Sequence, residues 1–330
     1  MYVTLLMDVE DLVDPEADDI AGVCSDILTE EGVEATLCLV GWKVRLLQDR
    51  GREDVIKKLS RHDIGFHTDT HSVHPTISEY LAPLTLEVGV SEVLRREAPG
   101  VNAIAQAFGK TPSCFGGPGN TWGPAVCEAM RRLGVPAFVY AHTAAPSGSV
   151  HRFGGLIAYP NGPSLSDGCY QDDQASRERL DGLKVRLTQE ASSGALWQQA
   201  FIGHPTRILH ECFWDDPLFY RGANPPQEMW QSSPRKSDAD LERALKNFRS
   251  AIQEIRDLPG VELKTIRVMN TILERHQPTS VSGEAAERLW PSIEHRLKGM
   301  AGWPIIPEGT DYTNICAQTH ELLSTLEDYA

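Results

Sequence analysis

The chain has 330 residues, of which 41% are hydrophobic and 23% charged, and its formal net charge is −15. That is enough apolar material for one large core and a composition that excludes wholesale disorder. The acidic surface repels nucleic-acid backbones and anionic membranes, so neither is expected as a partner, and no apolar run approaches the roughly 20 residues that span a bilayer.

Val3–Met7 opens the chain as a short apolar strand, too short for a signal core and without a basic leader. It runs into Asp8-Val9-Glu10-Asp11. Three carboxylates in four residues raise one another's pKa unless a cation compensates, or else form a solvated turn. Asp18–Glu31 follows as a helix with Ile20, Val23, Cys24, Ile27 and Leu28 on one face, stopped by Gly32. Strands are expected at Ala35–Val40 and Asp63–Phe66. The second leads into His67-Thr68-Asp69-Thr70-His71, with His74 beyond. Two imidazoles so spaced after a strand end either serve structure or share one divalent metal. The carboxylate cluster after another strand end tips that choice towards metal.

Pro112–Phe115 is the next strand and passes into Gly116-Gly117-Pro118-Gly119-Asn120-Thr121-Trp122. Its glycines let backbone approach a ligand, which makes Gly117 and Pro118 candidate substrate-binding residues, with Trp122 as a pocket wall. Trp122–Leu133 is expected to be helical up to Gly134. Strands follow at Ala137–Tyr140, Leu156–Tyr159 and Ala200–Gly203, the last reaching His204-Pro205. Asp238–Leu258 carries Leu241, Leu245, Phe248, Ile252 and Ile255 as a helix, stops at Pro259-Gly260, and gives way to a last strand, Val261–Ile266.

Strand–helix alternation over this length predicts a parallel α/β fold. The first strand is followed by no glycine-rich phosphate loop, which speaks against a dinucleotide fold. In a β/α barrel the chemistry gathers at the C-terminal ends of strands, and four polar clusters fall there. Residues 1–275 form the expected barrel; 276–330, with helical stretches at Ala285–Met300 and Asn314–Tyr329, form a helical C-terminal extension. The seven cysteines are odd in number, widely spaced and without a CxxC pair, a pattern suited to a reducing, cytoplasmic setting.

In this order, these clusters resemble the polysaccharide deacetylase (NodB-homology) superfamily, also called carbohydrate esterase family 4. Asp8-Val9-Glu10-Asp11 resembles its first motif, an acidic pair, in a variant with the second acid after a gap. His67-Thr68-Asp69-Thr70-His71 fits its His-Ser/Thr-x-x-His motif, and Ile202-Gly203-His204 loosely fits its last, an apolar residue, any residue, then histidine. The turn Phe115-Gly116-Gly117-Pro118-Gly119 is similar to its third motif but carries Gly116 where an arginine is expected. The fourth motif has no clear counterpart; Asp167, Asp172 and Asp173 lie in its region.

The resemblance spans roughly residues 1–270 and implies a distorted β/α barrel, a seven-stranded variant of the TIM barrel, that hydrolyses N-acyl or O-acyl bonds. It implies that His67, His71 and one acid, Glu10 or Asp11, bind a divalent transition metal. It further implies that Asp8 acts as general base and His204 as general acid. Imidazole and carboxylate ligands suit zinc first, and also cobalt, nickel, manganese or iron. The expected partner is a small-molecule or carbohydrate substrate.

Overall fold

The computed structural model of the chain describes residues 1–139, 150–165, 169–276 and most of 290–325. Nine strands lie among the described residues: β1 (Tyr2–Val9), β2 (Thr36–Leu39), β3 (Asp63–Phe66), β4 (Phe115–Gly116), β5 (Ala137–Val139), β6 (His151–Phe153), β7 (Leu156–Ala158), β8 (Trp197–Phe201) and β9 (Glu262–Leu263). They form one sheet in the order β6-β7-β5-β4-β3-β2-β1-β8, with β9 also on β1. All pairings are parallel except β6 with β7. Beside the edge strand β8, the Leu165 amide donates to the Phe201 carbonyl at 2.9 Å and the Phe201 amide to the Pro163 carbonyl at 3.0 Å. The result is a distorted β/α barrel.

The period of two along a strand sorts its side chains between two compartments. On β1, Val3, Leu5, Met7 and Val9 face the surrounding helices and join the main core. The alternate residue Leu6 joins Cys38, Cys114, Val139, Tyr159 and Trp197 in a second, interior cluster. Asp8 continues that inner row, with Glu10 one step beyond the strand. On β3 the inner row is Asp63, Gly65, then His67. A Cβ on Gly65 would lie 2.9 Å from Cys114 Sγ and 3.0 Å from Cys38 Sγ, so only glycine fits between those thiols. The interior is thus apolar at mid-height and polar at its mouth.

Some elements differ from the sequence reading. Val261–Ile266 is extended only at Glu262–Leu263; Ile266 instead begins a helix, Ile266–His276. Its Ile266, Met269 and Leu273 enter the interior cluster, and Asn270 donates to the Ser113 carbonyl at 2.8 Å. A helix plugs the barrel floor where the β-branched run suggested a full strand. The helix Leu86–Phe108 contains Pro99 and two glycines, which obscure its helical period in the sequence. The junction expected near 276 borders residues outside the described set. Beyond it, Ile293, Leu297, Ile306, Tyr312 and Ile315 pack into the main core. From the helix Thr313–Thr325, Asn314 donates to the Ala82 and Leu84 carbonyls at 2.7 Å each.

Candidate metal and catalytic centre

At the C-terminal mouth of the barrel, Asp8, Glu10, His67, His71 and His204 converge. Glu10 Oε2 lies 2.9 Å from His71 Nε2, 3.6 Å from His67 Nε2 and 3.6 Å from His204 Nε2. Asp8 Oδ2 lies 3.7 Å from His67 Nε2 and 3.6 Å from His204 Nε2. Four of these five separations are too long for hydrogen bonds. They are close to the separation of about 3.4 Å between two ligands held at about 2.1 Å on a tetrahedral ion. Among the described residues, Glu10 with His67 and His71 form one set able to hold a metal, and Asp8 with Glu10 and His204 form another.

The two loop histidines are aimed by their far nitrogens. His67 Nδ1 is 2.7 Å from the Gly116 carbonyl. A carbonyl only accepts, so Nδ1 carries the hydrogen and Nε2 presents its lone pair to the centre. His71 Nδ1 is 2.9 Å from Ser72 Oγ and 3.5 Å from Asp215 Oδ2. Between the histidines the chain turns tightly, with Thr68 and His71 in the left-handed region at φ 62° and 55°. Several contacts hold this turn. The Gly41 and Trp42 amides donate to the Thr68 and Asp69 carbonyls, Arg45 clasps the Asp69 carboxylate at 2.7 and 3.1 Å, and Glu97 accepts the Asp69 amide at 2.7 Å.

His204 begins the short helix Pro205–Leu209 but makes no side-chain capping bond there. Its ring is flanked by Phe201 and Phe213, each with centroids 5.0 Å away. It is the least buried of the five converging side chains.

No protein-family model matches the chain, and no curated protein sequence does. Solved structures do match. An inferred polysaccharide deacetylase from Pseudomonas aeruginosa PAO1 aligns with a TM-score of 0.56 at 11% identity, over 84% of this chain and 92% of that one. Another from Mycobacterium smegmatis aligns with a TM-score of 0.54 at 14% identity, over 84% and 92%. The chain has the polysaccharide-deacetylase fold. Within that fold, the expected first and second motifs and the last one meet at one point, although His67 and His204 are 137 positions apart.

Asp11 does not join them. Its Oδ1 accepts from the Val13 and Asp14 amides at 2.8 and 2.9 Å, and its Oδ2 accepts from Thr206 Oγ1 at 2.9 Å. Out of phase with Asp8 and Glu10, it holds the turn after β1 and is removed as a candidate ligand. The Gly116-Gly117-Pro118 turn reaches the centre through the Gly116 carbonyl. The Trp122 ring packs against Phe138 and Phe153, with centroids 6.5 and 6.0 Å away, and lies in the core instead of walling a pocket. Asp172 caps the helix Asp173–Ser192, and Asp173 accepts from Asn247. Asp167 lies outside the described residues. His74 bonds Glu79 and the Phe219 carbonyl, away from the centre.

Burial alone would raise the Glu10 carboxyl. The His204 and His71 charges, with the hydrogen bond from His71, outweigh it and hold Glu10 well below the usual range. His71 is pushed down by burial but drawn up further by Glu10 and then Asp215, so its net shift is upward. Glu10 is therefore ionised at neutral pH, as a ligand must be. Ser72, Phe213, Trp214 and Asp215 were absent from the sequence reading. For Phe213, Trp214 and Asp215 the one signal is an aromatic pair nine residues past His204; Ser72 has only its place beside His71.

Proposed function

We propose that this chain is a metal-dependent hydrolase that removes an acyl group from an N-acyl or O-acyl substrate, a sugar derivative or a small amide. The observation that carries this reading is the convergence of two imidazoles and a carboxylate at a barrel mouth, with Asp8 and His204 beside them. The donor set and its spacing fit a catalytic zinc site, which takes three protein ligands and leaves a position open; cobalt, nickel, manganese and iron accept the same donors. Glu10, His67 and His71 would hold the ion. When bound, such an ion supplies the Lewis acidity that polarises an acyl carbonyl and acidifies water. Asp8 takes the proton from the attacking water. His204 delivers a proton to the departing amine or alkoxide. The Gly116 carbonyl keeps the His67 ring in the tautomer this requires, and Ser72 offers Nδ1 of His71 an acceptor. The same reading keeps 1–275 as the catalytic barrel and 276–330 as a helical extension, and the contacts of Asn314 support an extension docked on the barrel.

Among the described residues no helix is long and apolar enough to cross a membrane. All seven cysteines are free thiols, which supports a reducing compartment such as the cytoplasm. Gly116 favours a second reading, a barrel that binds a metal or a carbohydrate without turning it over, because it offers no guanidinium to orient Asp8. Turnover on a panel of N-acyl and O-acyl substrates decides between the two. The hydrolase reading expects release of the acyl group by the metal-loaded protein, loss on chelation and recovery on adding zinc or cobalt. Metal binding without release from any substrate favours the second reading.

A further inference from the structure

Three consecutive residues outside every strand grip the histidines of the centre. The Phe213 ring lies edge-on to His204, with centroids 5.0 Å apart. The Trp214 ring is fully buried and lies 5.3 Å from that of His71. Asp215 is buried, with Oδ2 3.5 Å from His71 Nδ1. Ser72 Oγ is itself 2.9 Å from His71 Nδ1.

Ser72 Oγ and the Asp215 carboxylate both lie on the Nδ1 side of His71, so an Nδ1–H has acceptors there. Nε2, which bonds Glu10 at 2.9 Å, is then the nitrogen whose lone pair a cation would take in place of a proton. We propose that Asp215, together with Ser72, is a positioning residue for His71 that fixes its tautomer and ring angle and raises the affinity of the centre for a divalent cation. The inference rests on the metal reading above. His67 makes a useful contrast: its Nδ1 is held by the neutral Gly116 carbonyl. A carboxylate behind His71 makes that imidazole the more electron-rich of the two ligands. The Trp214 ring restricts its rotation.

The test uses the full chain and cobalt(II), with affinity measured by chelator competition and geometry by the visible absorption of the bound ion. Asp215→Ala is expected to weaken cobalt binding by about 10- to 100-fold, the range for removing a partner of a ligating histidine, and to change the cobalt spectrum. Asp215→Asn keeps an oxygen beside His71 Nδ1 but lacks the charge, so its loss is smaller. If Asp215→Ala does not fold, Asp215→Asn and Ser72→Ala carry the test, each with weaker binding than wild type. Wild-type cobalt affinity and an unchanged spectrum in the folded variants, alongside a lowered melting temperature, would show a structural role only and overturn the proposal. That outcome leaves the metal reading intact so long as His71→Ala strips the ion. Failure of the wild-type chain to bind cobalt removes the metal reading itself, and this inference with it.

Discussion

Two clusters of histidine and carboxylate lie side by side at the barrel mouth, and they are built from the same kinds of residue. In one, Asp8 and Glu10 meet His67, His71 and His204. In the other, Asp11 and Asp14 meet His210, which is fully buried. His210 Nε2 bonds Asp14 Oδ2 at 2.9 Å and its Nδ1 bonds Thr206 Oγ1 at 3.1 Å. Asp11 is occupied by two backbone amides and a hydroxyl. The second cluster is closed: hydrogens of the protein fill the spaces between its heavy atoms. The first holds most of its donors 3.6–3.7 Å apart around a common point, a spacing that suits a shared cation. Composition cannot tell the two apart; the partners of each oxygen and nitrogen can.

The largest expected difference between the clusters is in metal binding. Glu10→Ala should abolish tight binding of zinc or cobalt and with it all turnover. Asp11→Asn should bind the ion as wild type does, and calorimetric titration of both variants checks this. Asp8→Asn should keep the ion and lose turnover, because an amide cannot accept the proton. If Asp8→Asn strips the metal while Glu10→Ala retains it, the two roles are reversed.

His204 comes next. General acid catalysis contributes about 100- to 10,000-fold, so His204→Ala should cut kcat on an N-acyl substrate by that order. The effect should be much smaller on an activated aryl ester, whose leaving group departs without a proton. Equal losses on both substrates, with a lowered melting temperature, would move His204 from chemistry to structure.

The closed cluster should respond in stability instead. His210→Ala leaves Asp14 without its imidazole partner and opens a cavity. It should cost about 3–5 kcal/mol in urea unfolding, because the orphaned Asp14 and Thr206 groups and the unfilled cavity add, with metal affinity unchanged. An unaltered unfolding midpoint would show that the second cluster is not closed.

The smallest effect concerns Glu97, behind the histidine turn. Its carboxylate accepts from the Asp69 amide and from Tyr80 Oη, at 2.7 and 3.2 Å. Burial pushes its pKa up to about 7, against an ordinary 4.5; the Asp69 amide bond opposes that shift, and the Asp69 charge adds to it. The folded chain therefore keeps this proton at pH values where the unfolded chain has lost it. Its contribution to stability is intact below about pH 4.5 and falls as the pH rises to about 7. The whole decline amounts to about 3 kcal/mol. Unfolding at pH 5, 6, 7 and 8 should show that slope in wild type, and Glu97→Gln should flatten it.

Much of the centre was legible in the sequence because strand ends and the two-residue period are local signals. Asp8 on β1 and Glu10 just past its end are in phase, and His67 and His204 each follow an apolar run. The same period, extended one residue past the strand, would have set Asp11 apart from Glu10. What stayed hidden is what depends on tertiary placement. Nothing near Ser72 or Asp215 in the chain indicates that they meet behind His71. Val261–Ile266 has a strand's composition, yet Ile266 starts the helix that fills the barrel floor, because burial there outweighs β propensity. Trp122 looked like a pocket wall, but its ring found Phe138 and Phe153.

The account stands most directly on where a divalent ion binds. Crystals of zinc-supplemented protein, measured on both sides of the zinc absorption edge, would locate it. The account predicts one anomalous peak about 2.0–2.2 Å from Glu10 Oε2, His67 Nε2 and His71 Nε2, and no density of that kind at Asp11, Asp14 or His210. A centre without a peak at saturating zinc, or an ion seated on the second cluster, would contradict it.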